Sequence, residues 1–390
     1  MLSQTTQNQL RNIVTPYDRA GEPGGALAVL QHGEVAFQYC FGLANLDHQM
    51  AIASHTRFHI VSATKTLTAA AILILQAHGE LTLDDDIRQF LPELSSQLFV
   101  HGPITLRHLL SMTSGLRDVL EILRLRGTWH TSSHREADLL ALAYVMRDVN
   151  CPPGQRYIYN NTNFVLLAEI IRRITGLDAD AFRREVIYKP LGMQATGARA
   201  SDDQVLPNLA TGYVASGTGR FVSGVNLLGI AGDVVTTCLD DMVKWVNAWR
   251  AGVIGNVSIT EQMAQRAAVG NGDDVFYGLG LAVRDYRGWR LYCHSGSQPG
   301  YKTHLAYMPD QDFGFVLLSN REEIRPTARC VEVMEALYQA EFSRPHPAVA
   351  VSEQLQQSGF APDQLQQLSG TYLEPVAGEV MRLRLQQGRV

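Results

Sequence analysis

The chain has 390 residues, 46% hydrophobic and 18% charged, an ordinary soluble globular composition long enough for two or three domains. Its formal net charge of -5 gives no electrostatic case for nucleic acid or an anionic membrane as a partner. Cys40, Cys151, Cys238, Cys293 and Cys330 are odd in number and widely spaced, without C-x-x-C or Cys/His ligand patterns. They read as buried free thiols rather than as a disulfide framework or a zinc site.

The first 20 residues form a predicted helix, polar and without the charged-then-apolar pattern of a signal peptide. The longest apolar run, Ala69 to Ala77, is broken by Gln76 and too short to span a bilayer. The expectation is therefore a cytoplasmic protein off the membrane. "GGALAVLQHGEVAFQYCFGLAN" sets two apolar runs around His32-Gly33, a hairpin signal. "HIVSATKTLTAAAILILQAHGEL" predicts one strongly apolar helix from Ser62 to near Gly79. "LTLDDDIRQFLPEL" reads as a turn and a short helix closed by Pro92. From 103 to about 195 the pattern is helical, with runs at 105–112, 135–147 and 162–175, and Gly176 stands where a C-cap glycine belongs. Residues 196–230 look loop-like, and "DDMVKWVNAWRAG" is a helix. Strands return at 279–285, 289–293, 303–308 and 313–318, before a helix over about 325–341.

Strands at both ends with helices between predict an α/β fold: a mixed, mainly antiparallel sheet built from both ends of the domain, flanked by helices, with an all-helical insertion at about 80–230. That assigns 1–342 to one domain. "SRPHPAVAVSEQ" over 343–354 is the linker candidate. Residues 355–390 read as a β-type tail, with a hairpin between Gly370–Leu373 and the alternating stretch at 379–385. An isolated hairpin is marginal in water, so the tail either docks on the main domain or begins a truncated β-barrel domain.

The chain uses four lysines, at 65, 189, 244 and 302, against 29 arginines. Lys65 stands three positions after Ser62, on the same helix face. A desolvated lysine can be neutral at pH 7, whereas arginine cannot. A neutral amine beside a hydroxyl can take its proton and make it a nucleophile. At a helix start, orphan N–H groups and the dipole would also stabilise a developing anion. Ser62 could equally be a simple N-cap.

Two further stretches extend the pattern. "PPGQRYIYNNTNF" carries Tyr159 and Asn161 as Y-x-N just before a helix, and "WRLYCHSGSQPGYK" ends an apolar strand in His294-Ser295-Gly296. S-x-x-K, Y-x-N and [KH]-x-G in this order resemble the penicillin-recognising serine hydrolases: class C β-lactamases, D-Ala-D-Ala carboxypeptidases, related esterases and D-aminopeptidases. "ITLRHLLSMTSGL", "YKPLGM" and "AGDVVTTCLDDMVKW" look like the same family, and the resemblance covers about residues 20 to 340. The H-x-G triad and the "SGLRD" stretch, Ser114 to Asp118, are most similar to the D-aminopeptidases. Those proteins continue into β-barrel domains of lipocalin type, which the tail resembles.

The resemblance implies the β-lactamase/transpeptidase-like fold and a role for each residue. Ser62 would attack a carbonyl and form an acyl-enzyme. Lys65 and Tyr159 would move its proton, Tyr159 as base or leaving-group acid. His294 would replace the lysine of the K-T-G type. Asn161 would bind the substrate amide or hold Lys65. Ser295 and Gly296 complete the triad, and the N–H groups of Ser62 and Ser297 would form the oxyanion hole. Tyr159 as a core aromatic, His294 as a structural histidine and Asn161 as a helix cap are the plain structural alternatives. Related proteins often have H-T-S-G-L where this chain has Met112-Thr113-Ser114-Gly115-Leu116.

The implied function is a serine hydrolase acting on amide bonds, as a D-aminopeptidase or D-amino acid amide hydrolase. A histidine is largely neutral at pH 7, which argues against dedicated recognition of a substrate carboxylate. Rivals are an esterase or weak β-lactamase of the same fold, and a slowly deacylating sensor of cell-wall fragments. No G-x-S-x-G occurs, which disfavours an α/β-hydrolase esterase. The chemistry requires no metal or organic cofactor. The partner is a small molecule or short peptide, and the chain is compatible with a homodimer.

Overall fold

The computed structural model describes residues 2–127, 135–199, 204–216, 221–223, 235–254, 257–270, 272, 275–344, 370–373 and 380–383. An N-terminal helix, α1 (Gln4–Val14), is capped by Ser3, whose side chain accepts from the Thr6 amide. Strands β1 (Gly25–Gln31) and β2 (Glu34–Phe41) follow as the expected hairpin. Its turn residues, His32 and Gly33, both take positive φ, 52° and 80°, which matches the right-handed twist of the strands.

The helix after Ser62 is α2 (Thr64–Ala77), buried on nearly every side as a central helix should be. Next come α3 (Val119–Leu125), α4 (Asn161–Thr175) and α5 (Leu239–Ala251). Strands β3 (Ala282–Tyr286), β4 (Trp289–Gln298), β5 (Tyr301–Met308) and β6 (Phe313–Ser319) precede α6 (Pro326–Tyr338). The main sheet has the order β3-β4-β5-β6-β1-β2. It therefore joins both ends of the domain, with β1 antiparallel to β6, Gly25 opposite Ser319.

Adjacent residues of β6 show the two covered faces. Phe313 packs edge-on against Tyr338 of α6, at 5.8 Å between ring centroids. Gly314 faces α5, where an added Cβ would lie 3.0 Å from Val246 Cγ1. Helices on both faces explain why β1 and β6 read as unbroken apolar runs rather than as alternating ones.

Three expectations need adjustment. The strand carrying His294 does not stop at 293: β4 runs on through Gln298, so His294-Ser295-Gly296 lies inside a paired strand. Helix α3 falls within the expected helical stretch but between its three named runs, because it lacks a long apolar period. The mainly helical middle of the chain also holds short strands, including Gly197–Ala198, which joins Arg57–His59 and Val235–Cys238 in a three-stranded sheet. All five cysteines are free.

By contact the chain divides into two compact units, residues 1–285 with 290–339, and residues 286–289 with 340–390. In the second, the Phe342 ring packs on Trp289 at 4.6 Å and Tyr286 at 5.5 Å between centroids. Gly370–Leu373 and Val380–Leu383 pair antiparallel, Gly370 opposite Leu383. Most of the expected linker and the rest of the tail lie outside the described residues.

Candidate active site

The strand Arg57–His59 delivers the chain into a single 3-10 turn, Val61–Ala63, which leads directly into α2. Val61 has φ +49°, a left-handed conformation that is strained for a β-branched residue. It is buried while Ser62 beside it is partly exposed. Ser62 does not cap α2, since no side-chain cap bond forms there. Its Oγ instead lies 3.2 Å from Lys65 Nζ.

Lys65 is fully buried. Its Nζ donates to Asn161 Oδ1 at 2.8 Å. It also sits 5.1 Å from the Tyr159 ring centroid and 5.6 Å from that of Phe164. Burial penalises the charged amine and draws its pKa from 10.5 to about 7, while the Asp118 carboxylate acts in the opposite sense. At neutral pH a large fraction of this lysine carries a free lone pair.

The start of α4 is tied to the loop over 112–118 by four consecutive side chains. Asn160 is the N-cap, accepting from the Asn163 amide at 3.3 Å. Its Nδ2 donates to the Leu116 carbonyl. Asn161 donates to Asp118 Oδ2 through N at 2.7 Å and Nδ2 at 2.9 Å. Thr162 Oγ1 donates to the Arg117 carbonyl at 2.7 Å, and Asn163 Oδ1 accepts from Ser114 Oγ at 2.6 Å. The capping alternative for Asn161 thus belongs to its neighbour, and the Asn161 side chain faces Lys65. Met112, at φ +60°, brings its sulfur to accept from the Asn160 amide at 3.3 Å. The thioether, a weak acceptor, binds the loop to α4 without a titratable group.

Tyr159 lies beside this cluster, within hydrogen-bonding reach of Ser62, and burial raises its phenol well above the ordinary value of 10. It is therefore a held proton, not a preformed phenolate. Its ring meets Tyr277 edge-on at 6.5 Å. Tyr277 Oη is 2.9 Å from His294 Nε2, and His294 Nδ1 is 2.7 Å from the Ser295 carbonyl. A carbonyl only accepts, so Nδ1 carries the proton and Nε2 accepts from Tyr277. Burial, with the nearby Lys65 charge, draws His294 down to about 3. The histidine of the triad is neutral, with both nitrogens occupied.

Gly296 is where β4 meets the nucleophile turn. A Cβ there would stand 2.0 Å from the Ile60 carbonyl oxygen and 3.3 Å from the Ser62 amide nitrogen. Only a residue without a side chain permits that approach. Ser295 turns toward α6, its Oγ 2.8 Å from His304 Nδ1 and 3.2 Å from Thr327 Oγ1. Ser297 Oγ accepts from Lys302 Nζ at 2.6 Å, and that lysine also pairs with Glu322 at 2.8 Å. The structure thus gathers Ser62, Lys65, Tyr159, Asn161 and Gly296, with His294 one layer behind. The side chains of Ser295 and Ser297 point elsewhere, leaving only their backbone on the site's side of the strand.

Sequence reasoning missed Asp118 and Tyr277. Asp118 stood in the quoted S-G-L-R-D stretch, and an Asp ahead of a helix reads as a cap, which it also is. Tyr277 had no signal beyond its place before a glycine-rich strand. Gly280 is a further contact: at φ +71°, it brings the approach to β3 against Ala69 and the Lys65 carbonyl on α2.

A serine and a buried lysine on one helical turn, with a tyrosine and an asparagine supplied from a helical region and a glycine from a sheet strand, define the S-x-x-K class of site. The Beta-lactamase family model matches residues 10–334, and the chain belongs to that family. It is 29% identical over 301 residues to the D-aminopeptidase of Brucella anthropi, covering 77% of this chain and 56% of that protein. The chain thus spans just over half the length of that relative. The structure is similar to the octameric penicillin-binding protein homologue from Pyrococcus abyssi, with a TM-score of 0.75 at 24% identity, over 97% of this chain and 85% of that one. It is also similar to D-amino acid amidase from Ochrobactrum anthropi SV3, with a TM-score of 0.72 at 23% identity, over 86% and 99%. These likenesses show the penicillin-binding/β-lactamase-like fold. Among the described residues, no helix is long and apolar enough to cross a membrane.

Proposed function

We propose that the chain is a serine hydrolase that cleaves amide bonds through an acyl-enzyme on Ser62, with amides or short peptides of D-amino acids as substrates. One observation carries this reading: a fully buried lysine with a pKa of about 7 lies 3.2 Å from the Ser62 hydroxyl. In the first step the Ser62 oxygen bonds to the carbonyl carbon and its proton passes to Lys65 Nζ. As the carbon–nitrogen bond breaks, the Tyr159 hydroxyl protonates the leaving amine and regains a proton from the Lys65 ammonium. Water then attacks the ester, giving one proton to Lys65, and Ser62 Oγ leaves as the Lys65 ammonium returns that proton to it. The amides of Ser62 and Ser297 would receive the oxyanion, usually a large electrostatic contribution. The close packing of Gly296 on the Ser62 amide supports that pairing.

His294 bears on the substrate class. A neutral imidazole with both nitrogens occupied offers no cation to a carboxylate, which disfavours penicillins and peptides ending in D-Ala. The names of the relatives favour a D-aminoacyl amide. The test is a turnover panel of D- and L-Ala p-nitroanilide, p-nitrophenyl acetate and nitrocefin, with intact-mass labelling by a fluorophosphonate. Ser62→Ala is expected to lose both turnover and label, by a factor on the order of 10^4 or more in rate. Label surviving in Ser62→Ala would sink the nucleophile assignment. Turnover of nitrocefin above the D-Ala anilide would sink the substrate reading.

We also propose residues 1–342 as the hydrolase domain, because β6 is the last strand of the main sheet in chain order and α6 ends at Tyr338. A chain ending at residue 342 should label at Ser62 at the full-length rate. A folded truncation that fails to label would move the boundary.

A further inference from the structure

We infer that Asp118 is the positioning residue of this site: it dictates which way the Asn161 amide faces, and through that amide where the Lys65 amine sits and what it can donate to. The inference rests on the Ser62 hydrolase reading above.

Asp118 stands immediately before α3, and its Oδ1 accepts from the Leu120 amide at 2.6 Å. Its other oxygen, Oδ2, receives two bonds from Asn161, from N at 2.7 Å and from Nδ2 at 2.9 Å. An ionised carboxylate only accepts. The end of the Asn161 amide that meets it must therefore be the NH2 group, and Oδ1 is left to face Lys65 Nζ at 2.8 Å. The reversed amide would set oxygen against oxygen on one side and NH2 against the amine on the other. With one Lys65 N–H given to Asn161, the lone pair of the neutral amine is free to face Ser62 Oγ at 3.2 Å. The Asn161 NH2 is then committed to Asp118, so Asn161 holds Lys65 and has no donor to spare for substrate.

The same contact tunes charge. Around Lys65 are the Ser62 hydroxyl on its own turn, the Tyr159 and Phe164 rings and the Asn161 amide from α4 and its approach, and His294 on β4, which burial keeps neutral. Among the described residues, Asp118 is the one carboxylate that acts on this amine, and it favours the protonated form. Removing its charge should make Lys65 lose its proton at lower pH.

The experiment is the rate of Ser62 labelling by a fluorophosphonate as a function of pH, in wild type, Asp118→Asn, Asn161→Ala and the double variant. Asparagine caps helices as well as aspartate does, so Asp118→Asn keeps α3. It is expected to lower the plateau rate at least about tenfold. It should also move the acid limb to lower pH by about half a unit or more. If Asp118 acts through Asn161, the double variant should label no more slowly than Asn161→Ala alone. A folded Asp118→Asn with the wild-type plateau and midpoint, a midpoint moved to higher pH, or additive losses in the double variant would each overturn the inference. If Asp118→Asn does not fold, Asp118→Ser keeps a capping oxygen without the reach to Asn161, and carries the same expectation. A neutron structure of the wild-type protein reads the amide directly, and Nδ2 facing Lys65 would overturn the inference whatever the variants do. Wild type unlabelled at Ser62 would sink the hydrolase reading, and the inference with it. Wild type labelled with Asp118→Asn unchanged sinks the inference alone.

Discussion

Lys65→Arg is expected to be nearly as inactive as Lys65→Ala, with kcat/KM lowered by about 10^3. Arginine keeps a positive charge on a long stem, so a purely electrostatic support would survive the change. What it loses is the ability to accept a proton near neutrality. In wild type, Lys65 must be neutral to take the Ser62 proton, and burial has already brought its pKa to about 7. Activity should therefore rise with pH through about 7 and level off above it. His294 titrates far below this window, and Tyr159 and Tyr277 are pushed up by burial. Among the described groups of the site, Lys65 is therefore the one expected to set the acid limb. Steady-state kinetics from pH 5 to 9 on both proteins would check this. Near-normal kcat in Lys65→Arg would return the role of base to Tyr159 alone.

Gly296→Ala should remove activity with only moderate loss of stability. The added methyl would overlap the Ile60 carbonyl oxygen at 2.0 Å, and both partners are backbone, so no side chain can swing aside. Either β4 or the nucleophile turn must retreat. Overpacking of this kind costs about 1–3 kcal/mol. A shift of roughly 1 Å in a reacting group can cost on the order of 100-fold in rate. The expected outcome is a folded protein with a lowered Tm and kcat/KM reduced at least about 100-fold. Thermal melts with kinetics on the same preparation separate the two effects. A variant with wild-type kcat/KM would show that the approach of β4 to Ser62 is not needed for the chemistry.

The local strings were legible because the chemistry they serve is local. Ser62 and Lys65 share one helical turn, and the scarcity of lysine made the second conspicuous. The sheet built from both ends of the domain was legible from where the short apolar runs fall along the chain. What stayed hidden depends on distance in sequence. Asp118 meets Asn161 across 43 positions, and nothing in either stretch announces the other. The reach of β4 past His294 was lost because glycine and two serines do not read as strand, although Lys302 to His304 pair opposite them. Tyr277 matters only because folding puts its hydroxyl against His294. Met112 departs from a familiar motif, and only the fold brings its sulfur to accept from the Asn160 amide.

The contacts among Asp118, Asn161 and Lys65 would also bear on the charge a guest meets. With Lys65 protonated, ammonium and carboxylate cancel and the interior of the site is close to neutral. When Lys65 gives up its proton to become reactive, the site loses one positive charge while the carboxylate of Asp118 stays in place. The state competent for attack is thus also the state that draws in a positively charged guest and turns away an anionic one. An amino acid amide carries such a charge on its free amine, next to the bond to be cut. Reactivity and selection for that guest would then be set by the same proton. In the pH series above, KM for a cationic amide should fall as kcat rises up to about pH 7, below the range near 8 where a free α-amine loses its charge, whereas KM for an uncharged ester should stay flat.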